Sequence, residues 1–170
     1  MNAYIALLRA VNVGGTGKLP MTELKAMCEA AGFTRVRTHI ASGNVVFQSA
    51  KTEAQVRATL EAALAKYASK PVGVMVRTAA EMAAVLKKNP FAQMPGNLTV
   101  AIFLDAPPAA DALETAFNRK NEEIQLGLRE LYVYYPDGQG NSRLKIPAAK
   151  NGTARNMNTV ATLAEMAANL

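Results

Sequence analysis

The chain has 170 residues, half of them hydrophobic and 19% charged, so it is expected to fold around a core and not to remain disordered. No apolar run approaches the roughly 20 residues that cross a bilayer, and Met1–Tyr4 lacks the basic start of a signal peptide. The single cysteine, Cys28, excludes an internal disulfide, and a reducing cytoplasm is the expected setting.

The net charge of +6 lies entirely in the N-terminal part of the chain. Residues 1–77 hold ten Lys and Arg against four acids, whereas residues 78–170 hold nine of each. This asymmetry favours an anionic partner, such as a nucleotide, a phosphorylated metabolite or a nucleic acid. A merely solvated surface is the alternative interpretation.

The first elements in chain order are a strand, a helix and a hairpin. Ala3–Arg9 is a short apolar run typical of a buried strand, and a helix is predicted between Pro20 and Gly32. Alternating residues 35–40 then predict a half-buried strand, which the turn Ser42–Asn44 joins to the strand 45–47.

A second helix and a fourth strand complete the first module. Thr52 and Gln55 have the spacing of a capping box, and Tyr67 falls on the apolar face of the helix that follows. Val72–Val76 predicts the next strand. The order strand, helix, strand, strand, helix, strand is typical of the ferredoxin-like fold, also called split βαβ or α/β plait.

The remaining sequence predicts a second module of the same kind. Thr78 and Glu81 form another capping box, ahead of an extra leading helix. The later predictions are a strand at 98–104, a helix after Pro107 and Pro108, a hairpin of Glu123–Leu126 with Leu131–Tyr135, and a last helix over Thr153–Asn169. We therefore predict an α+β chain of two packed ferredoxin-like modules, 1–77 and 78–170.

The segment Asn12–Lys18 is glycine-rich and lies between the first strand and the first helix. It lacks the first glycine and the hydroxyl residue of a Walker loop, and Pro20 replaces the third glycine of a dinucleotide fingerprint. Its backbone amides and Lys18 could still bind an anion at the following helix start. An ordinary glycine-rich turn is the alternative.

The densest polar cluster is Gly152–Thr159. As part of the predicted last helix, Thr153 is its expected N-cap, and Arg155 and Thr159 share a face. An arginine at a helix start opposes the macrodipole, and a broken local rule of this kind often marks a functional site. Capping and surface polarity alone would also explain the cluster.

Two arginines, Arg9 and Arg77, end the first and fourth strands of the first module. Those strands are adjacent and antiparallel in a ferredoxin-like sheet, so the two side chains lie at opposite ends. Each alone is expected to be a strand-end surface residue. One of them would need Arg155 or Arg143 to clamp a small ligand.

Catalytic groups are scarce in this sequence. His39 is the only histidine and is expected on the polar face of its strand, while Cys28 falls on the apolar face of a helix and is expected in the core. There is no Cys/His cluster for zinc and no nucleophile elbow, and we expect neither a metal nor a cofactor.

Nucleic-acid binding is a less favoured hypothesis. The predicted open sheet resembles RNA-binding folds in shape, but Phe47 is the only aromatic residue of the third strand. Tyr132, Tyr134 and Tyr135 cluster in the second module, where sheet packing is the expected role.

Three strings of the sequence together resemble the bacterial family of proteins of unknown function numbered 1697. They are Tyr4–Gly15, Ser42–Phe47 and Gly152–Asn156, with support from Leu19–Met21 and Asn89–Phe91. The resemblance implies two ferredoxin-like modules and supplies no activity, substrate or catalytic residue. Ala10 replaces the glycine expected from the family pattern, which indicates that this position needs no special backbone geometry.

The function that we predict is a cytosolic binding protein for a small anionic ligand that contains a phosphate or a nucleotide. The alternatives are a transferase or hydrolase acting on a phosphorylated small molecule, and a nucleic-acid-binding protein; no membrane partner is expected. The predicted ligand-binding residues are Arg9, Asn12, Gly14, Gly15, Lys18, Ser42, Asn44, Thr153, Arg155 and Asn156.

Overall fold

The computed structural model describes residues 1–12 and 18–170. Gly14 and Gly15, two of the predicted ligand-binding residues, therefore lie outside the described residues. The chain divides into two compact units, Met1–Ala83 with Thr162–Leu170 and Ala84–Ala161. The described residues contain no helix long and apolar enough to cross a membrane.

The described residues form a mixed α+β structure with two four-stranded antiparallel sheets and four α-helices. The strands are β1 (Asn2–Leu8), β2 (Thr34–Thr38), β3 (Asn44–Ser49), β4 (Val74–Thr78), β5 (Thr99–Phe103), β6 (Glu123–Leu126), β7 (Glu130–Tyr134) and β8 (Thr153–Asn156). The helices are α1 (Met21–Ala30), α2 (Glu53–Ala68), α3 (Ala79–Lys87) and α4 (Met157–Ala168). The sheet orders are β2-β3-β1-β4 and β6-β7-β5-β8, so the first and third strands of each set are central.

The first unit has its core between one sheet face and the helices α1 and α2. Leu24 and Cys28 of α1 and Leu60 of α2 are fully buried there, against strand residues such as Tyr4 and Phe47. The Phe33 and Phe47 rings stack with centroids 4.4 Å apart. Cys28 is thus a core residue, as its position on the apolar helix face predicts.

Local signals place the helix ends of the first unit correctly. Thr52 and Gln55 form the predicted capping box of α2, and Thr78 and Glu81 form that of α3. Gly32 follows α1 with φ +88°, and the bonds from its N–H to Glu29 and from the next N–H to Cys28 make a Schellman end.

Loops, and not helices, cover the core of the second unit. The helix predicted after Pro108 is wrong, because the segment forms only turns and Phe117 then pairs in extended conformation with Lys145 through two 2.9 Å hydrogen bonds. The predicted hairpin of β6 and β7 is confirmed.

The predicted start of the last helix at Thr153 is also wrong. Thr153–Asn156 is strand β8, paired antiparallel with β5, and the helix begins at Met157. Asn156 acts as its N-cap, since its Oδ1 accepts a hydrogen bond from the Thr159 N–H at 2.9 Å. The backbone of residues 153–156 is hydrogen-bonded to β5. This pairing is a tertiary contact, so local helix signals could not predict it.

Ala10 has φ +55°, in the left-handed region. The interpretation that this position needs no special backbone geometry is therefore wrong. For a residue with a Cβ, that conformation costs roughly 1–2 kcal/mol. The glycine of the family pattern would relieve this strain.

We expect Ala10→Gly to raise the free energy of unfolding by about 0.5–1 kcal/mol, the relief of strain less the higher entropy of glycine in the unfolded chain. Urea denaturation measures this change. The matched control is Ala62→Gly on the exposed side of α2. This substitution should instead lower the free energy of unfolding by about 1 kcal/mol. A loss at both positions would contradict the assigned strain.

Candidate functional site

The end of β1 brings two turns of the first unit together. The Leu8 N–H donates to the Gly43 carbonyl at 2.8 Å, and the Arg9 N–H donates to the Gly73 carbonyl at 2.9 Å. One turn joins β2 to β3 and the other precedes β4. Because β1 is central in its sheet, its last residues are bounded on both sides by these neighbours.

Gly43 is required by this close approach. Its φ is +90°, and a Cβ there would lie 2.6 Å from Cγ2 of Val11 and 2.9 Å from Cβ of Leu8. Both atoms are near the backbone, so they cannot move aside cheaply. The turn is therefore fixed tightly against the segment that leaves β1.

Asn12 joins three parts of the chain through its side-chain amide. Its Oδ1 accepts a hydrogen bond from the Leu19 N–H at 2.6 Å, and its Nδ2 donates to the carbonyls of Leu19 and Ala41 at 2.8 Å each. Its φ of +55° is one that asparagine tolerates better than most residues. The described bonds therefore give Asn12 a positioning role, in which it holds the residues before and after 13–17 together.

A cavity of about 580 Å³ lies at this end of the sheet, within the first unit. Three of its lining residues are cationic: Arg9, Lys18 and Lys70. The other lining residues are Ala10, Val11, Leu19, Leu64, Tyr67, Ala68, Pro71, Val72 and Gly73. None of the described lining residues carries a carboxylate, an imidazole or a thiol. We call this cavity the basic pocket.

Three of the six described non-glycine residues with positive φ lie at or beside the basic pocket, and the other three, Arg35, Ile40 and Asn118, lie elsewhere. Ala10, Asn12 and Ser69 all have positive φ, at 55°, 55° and 57°. Ala10 lines the cavity, and Ser69 separates the lining residues Ala68 and Lys70. Non-glycine residues persist in this region only where surrounding contacts enforce it, and such residues cluster at ligand sites.

Of the sequence-predicted site residues, Arg9 and Lys18 line the basic pocket, while Ser42 and Asn44 are used inside their own turn. Asn44 is fully buried, and its Nδ2 donates to the His39 carbonyl and to Oγ of Ser42, both at 2.9 Å. These bonds give the two side chains a structural use.

The other predicted cluster belongs to the second unit, and its side chains are largely engaged in hydrogen bonds. Arg155 is only 7% exposed, and its Nη1 donates to Oγ1 of Thr153 at 2.7 Å and to the Ala154 carbonyl at 2.9 Å. Burial lowers the pKa of Arg155 to about 10, so the guanidinium stays charged at neutral pH. Asn156 caps α4.

Sequence reasoning missed Tyr67, Lys70 and the segment 71–73 as pocket residues. The helical periodicity predicted Tyr67 to face the core, yet 45% of it is exposed. The available signal was the basic Ser69-Lys70-Pro71 break that follows α2. The prediction that Arg77 is a surface residue is wrong. Its side chain is only 2% exposed, and its Nη1 donates to the Val76 carbonyl.

Nucleophilic and metal chemistry find little support in the described residues. Burial, followed by the nearby Glu29 charge, raises the pKa of Cys28 to about 12, so its thiol stays protonated and unreactive. No group of three or more His, Cys, Asp or Glu among the described residues could hold a metal ion.

A second cavity, of about 520 Å³ in the second unit, is organised around Glu122. This carboxylate accepts hydrogen bonds from Oγ of Ser142 at 2.5 Å and from the Lys120 N–H at 2.7 Å, and these hold its pKa below the ordinary value. Asn121 and Asp137 are bonded to each other at 2.8 Å. These polar groups fasten two loops, which explains their presence without a ligand.

We expect Asn12→Ala to lower the free energy of unfolding by about 1–2 kcal/mol, because the part-buried N–H and carbonyl of Leu19 lose their partners. Chemical denaturation measures the loss. Asn12→Asp, which keeps the acceptor for the Leu19 N–H but sets a carboxylate oxygen against the carbonyls of Leu19 and Ala41, should lose at least as much stability as alanine. Equal stability of all three proteins would contradict the positioning role.

The hydrogen bonds of Glu122 predict that the free energy of unfolding depends on pH. Because the folded pKa is lowered, the carboxylate stabilises the fold above the unfolded pKa of about 4.3, and this contribution is lost as the pH falls through the folded pKa. The stability difference between the natural protein and Glu122→Gln should therefore be large at pH 7 and shrink below about pH 4. Urea denaturation across pH measures it, and in Ser142→Ala the loss should be smaller and should be complete at a higher pH, because the folded pKa lies closer to the unfolded one. A difference independent of pH would contradict this.

Comparisons with known proteins give a family and a fold. A conserved bacterial protein, SP0830 from Streptococcus pneumoniae, has a solved structure similar to this chain with a TM-score of 0.79, over 98% of both chains and at 23% identity. At that identity the likeness concerns the fold alone. None of the curated proteins compared with the chain matches it.

The family comparison covers most of the chain. The family model for DUF1697, a family of proteins of unknown function, matches residues 1–132. This range includes Tyr4–Gly15 and Ser42–Phe47, the first two segments that resemble the family, and ends before Gly152–Asn156. Because the match spans 132 of the 170 residues, the chain belongs to the DUF1697 family.

Proposed function

We propose that this protein binds a small phosphate-containing anion in the basic pocket. The observation that carries the proposal is the convergence of Arg9, Lys18 and Lys70 on one cavity of about 580 Å³ that no described acidic residue lines. That volume lies within the range of small-molecule sites, roughly 300–1,000 Å³. Each cation comes from a different segment of the first unit.

The electrostatics of the pocket favour an anion despite one opposing contribution. The C-terminal end of α2 lies at Ala68, and a helix C-terminus carries roughly half a negative charge. The cationic side chains of Arg9, Lys18 and Lys70 oppose this negative end. A phosphate accepts several charge-assisted hydrogen bonds, each about twice as strong as a neutral one.

The alternative of a transferase or hydrolase is less well supported. General acid–base catalysis needs a side chain that can accept or donate a proton near neutral pH. The described lining residues offer only Arg, Lys and Tyr as titratable groups. Binding without turnover is what this composition supports.

Nucleic-acid binding is also less well supported. RNA-binding sheets of this shape use one open face with exposed aromatic residues. In the first sheet, α1 and α2 pack on one face, and Ile5 and Leu7 of the other face are fully buried. Tyr132 is 2% exposed, and its hydroxyl donates to the Val85 carbonyl at 2.8 Å.

We also infer that both units are variants of the ferredoxin-like fold, because each has four antiparallel strands with the order 2-3-1-4. The first has a helix after each of its first and third strands, as that fold requires. The second has loops and short 3₁₀ turns in those positions.

Inorganic pyrophosphate should stabilise the natural protein in a thermal-shift assay. A ligand at 100 times its dissociation constant adds about 2.7 kcal/mol of stability. Lys18→Ala should weaken pyrophosphate binding about tenfold, since a charge-assisted contact contributes roughly 1.5 kcal/mol or more. Titration calorimetry measures the affinity.

The matched control is Lys25→Ala, which removes an exposed lysine of α1 that does not line the pocket. Its pyrophosphate affinity should remain that of the natural protein. If pyrophosphate gives no stabilisation at millimolar concentration, or if both lysine variants bind equally, the proposed anion site is wrong.

A further inference from the structure

Tyr67 is an exposed aromatic residue that lines the basic pocket. It lies one turn after Leu64 on α2, and residues three apart share a helix face. Leu64 is 1% exposed, whereas Tyr67 is 45% exposed. Both line the cavity, so the apolar face of the helix continues from the core into the pocket.

No aromatic side chain of the described residues forms a ring pair with Tyr67. The ring pairs among the described residues are Tyr4 with Phe47, Phe33 with Phe47, and Phe91 with Tyr134. An open aromatic face beside cations is the arrangement that a ligand with its own flat ring can cover.

The pocket is also larger and less polar than an inorganic anion needs. Beside the three cations, its wall includes Pro71 and the partly buried Val72. A ligand that consisted of phosphate alone would contact the cations and leave Pro71 and Val72 exposed to water. A ligand with an apolar part in addition to its anion would use both regions, in a cavity of about 580 Å³.

We propose that the ligand is a nucleoside phosphate whose base packs on the Tyr67 ring while its phosphates contact Arg9, Lys18 and Lys70. This inference rests on the proposed anion site and adds the chemical class of the ligand. Stacking on an aromatic ring tolerates any base, because every base has a π face. The proposal therefore concerns the nucleotide class and not one base.

Titration calorimetry with ADP, inorganic pyrophosphate and adenosine separates the two parts of the ligand. ADP should bind about tenfold more tightly than pyrophosphate, a ratio that corresponds to about 1.4 kcal/mol and lies within the range for base–aromatic stacking. Adenosine alone should bind more weakly than ADP, since it lacks the anion.

Variants at Tyr67 test the role of the ring. Tyr67→Ala should reduce ADP affinity to that of pyrophosphate and leave pyrophosphate affinity unchanged, whereas Tyr67→Phe should retain the ADP advantage. Lys18→Ala should weaken the binding of both ADP and pyrophosphate. Because Tyr67 is a half-exposed helix residue, these variants should fold, and circular dichroism checks that they do.

The outcomes distinguish this inference from the function on which it rests. Equal binding of ADP and pyrophosphate, or an unchanged ADP affinity in Tyr67→Ala, would overturn the nucleoside assignment and leave the anion site standing. Absence of binding by both ADP and pyrophosphate would overturn both.

Discussion

The backbone hydrogen bonds at the end of β1 are the constraint on which the candidate site depends. As a central strand, β1 must pair on both sides, so Leu8 and Arg9 bond to Gly43 and Gly73. The chain then turns away through the left-handed residues Ala10 and Asn12. Glycine at 43 allows the close approach, and the Asn12 amide ties Leu19 to the same place. The basic pocket is formed by segments that this pairing brings together.

The two units share a detail at the end of their last strands. Arg77 and Arg155 each precede the residue that caps the following helix, and each donates from Nη1 to the carbonyl of the residue before it. Both are buried. A buried guanidinium needs several acceptors, and main-chain carbonyls supply part of that need in both units. The polar cluster around Arg155 is thus accounted for by a repeated structural arrangement.

Charged and titratable side chains of the described residues lie in different surroundings. The cations converge on a pocket without a described proton acceptor. The carboxylate of Glu122 is occupied by Ser142 and Lys120, and the Cys28 thiol is kept protonated by burial. Glu122 and Cys28 are therefore engaged within the fold, while Arg9, Lys18 and Lys70 line a cavity.

The sequence by itself determined the α+β class, the strands of the first module, the capping boxes of α2 and α3 and the basic character of the N-terminal part, because these follow from local periodicity and composition. Tertiary structure decided the rest. Residues 153–156 became a strand because β5 offered an edge to pair with, and Ala10 adopted a left-handed conformation where β1 leaves the sheet. Lys70 reached the pocket of Arg9 across sixty-one positions of sequence, since only the pairing of β1 with β4 brings the segments that carry them together. Such proximity depends on long-range packing, which no local pattern in the sequence encodes.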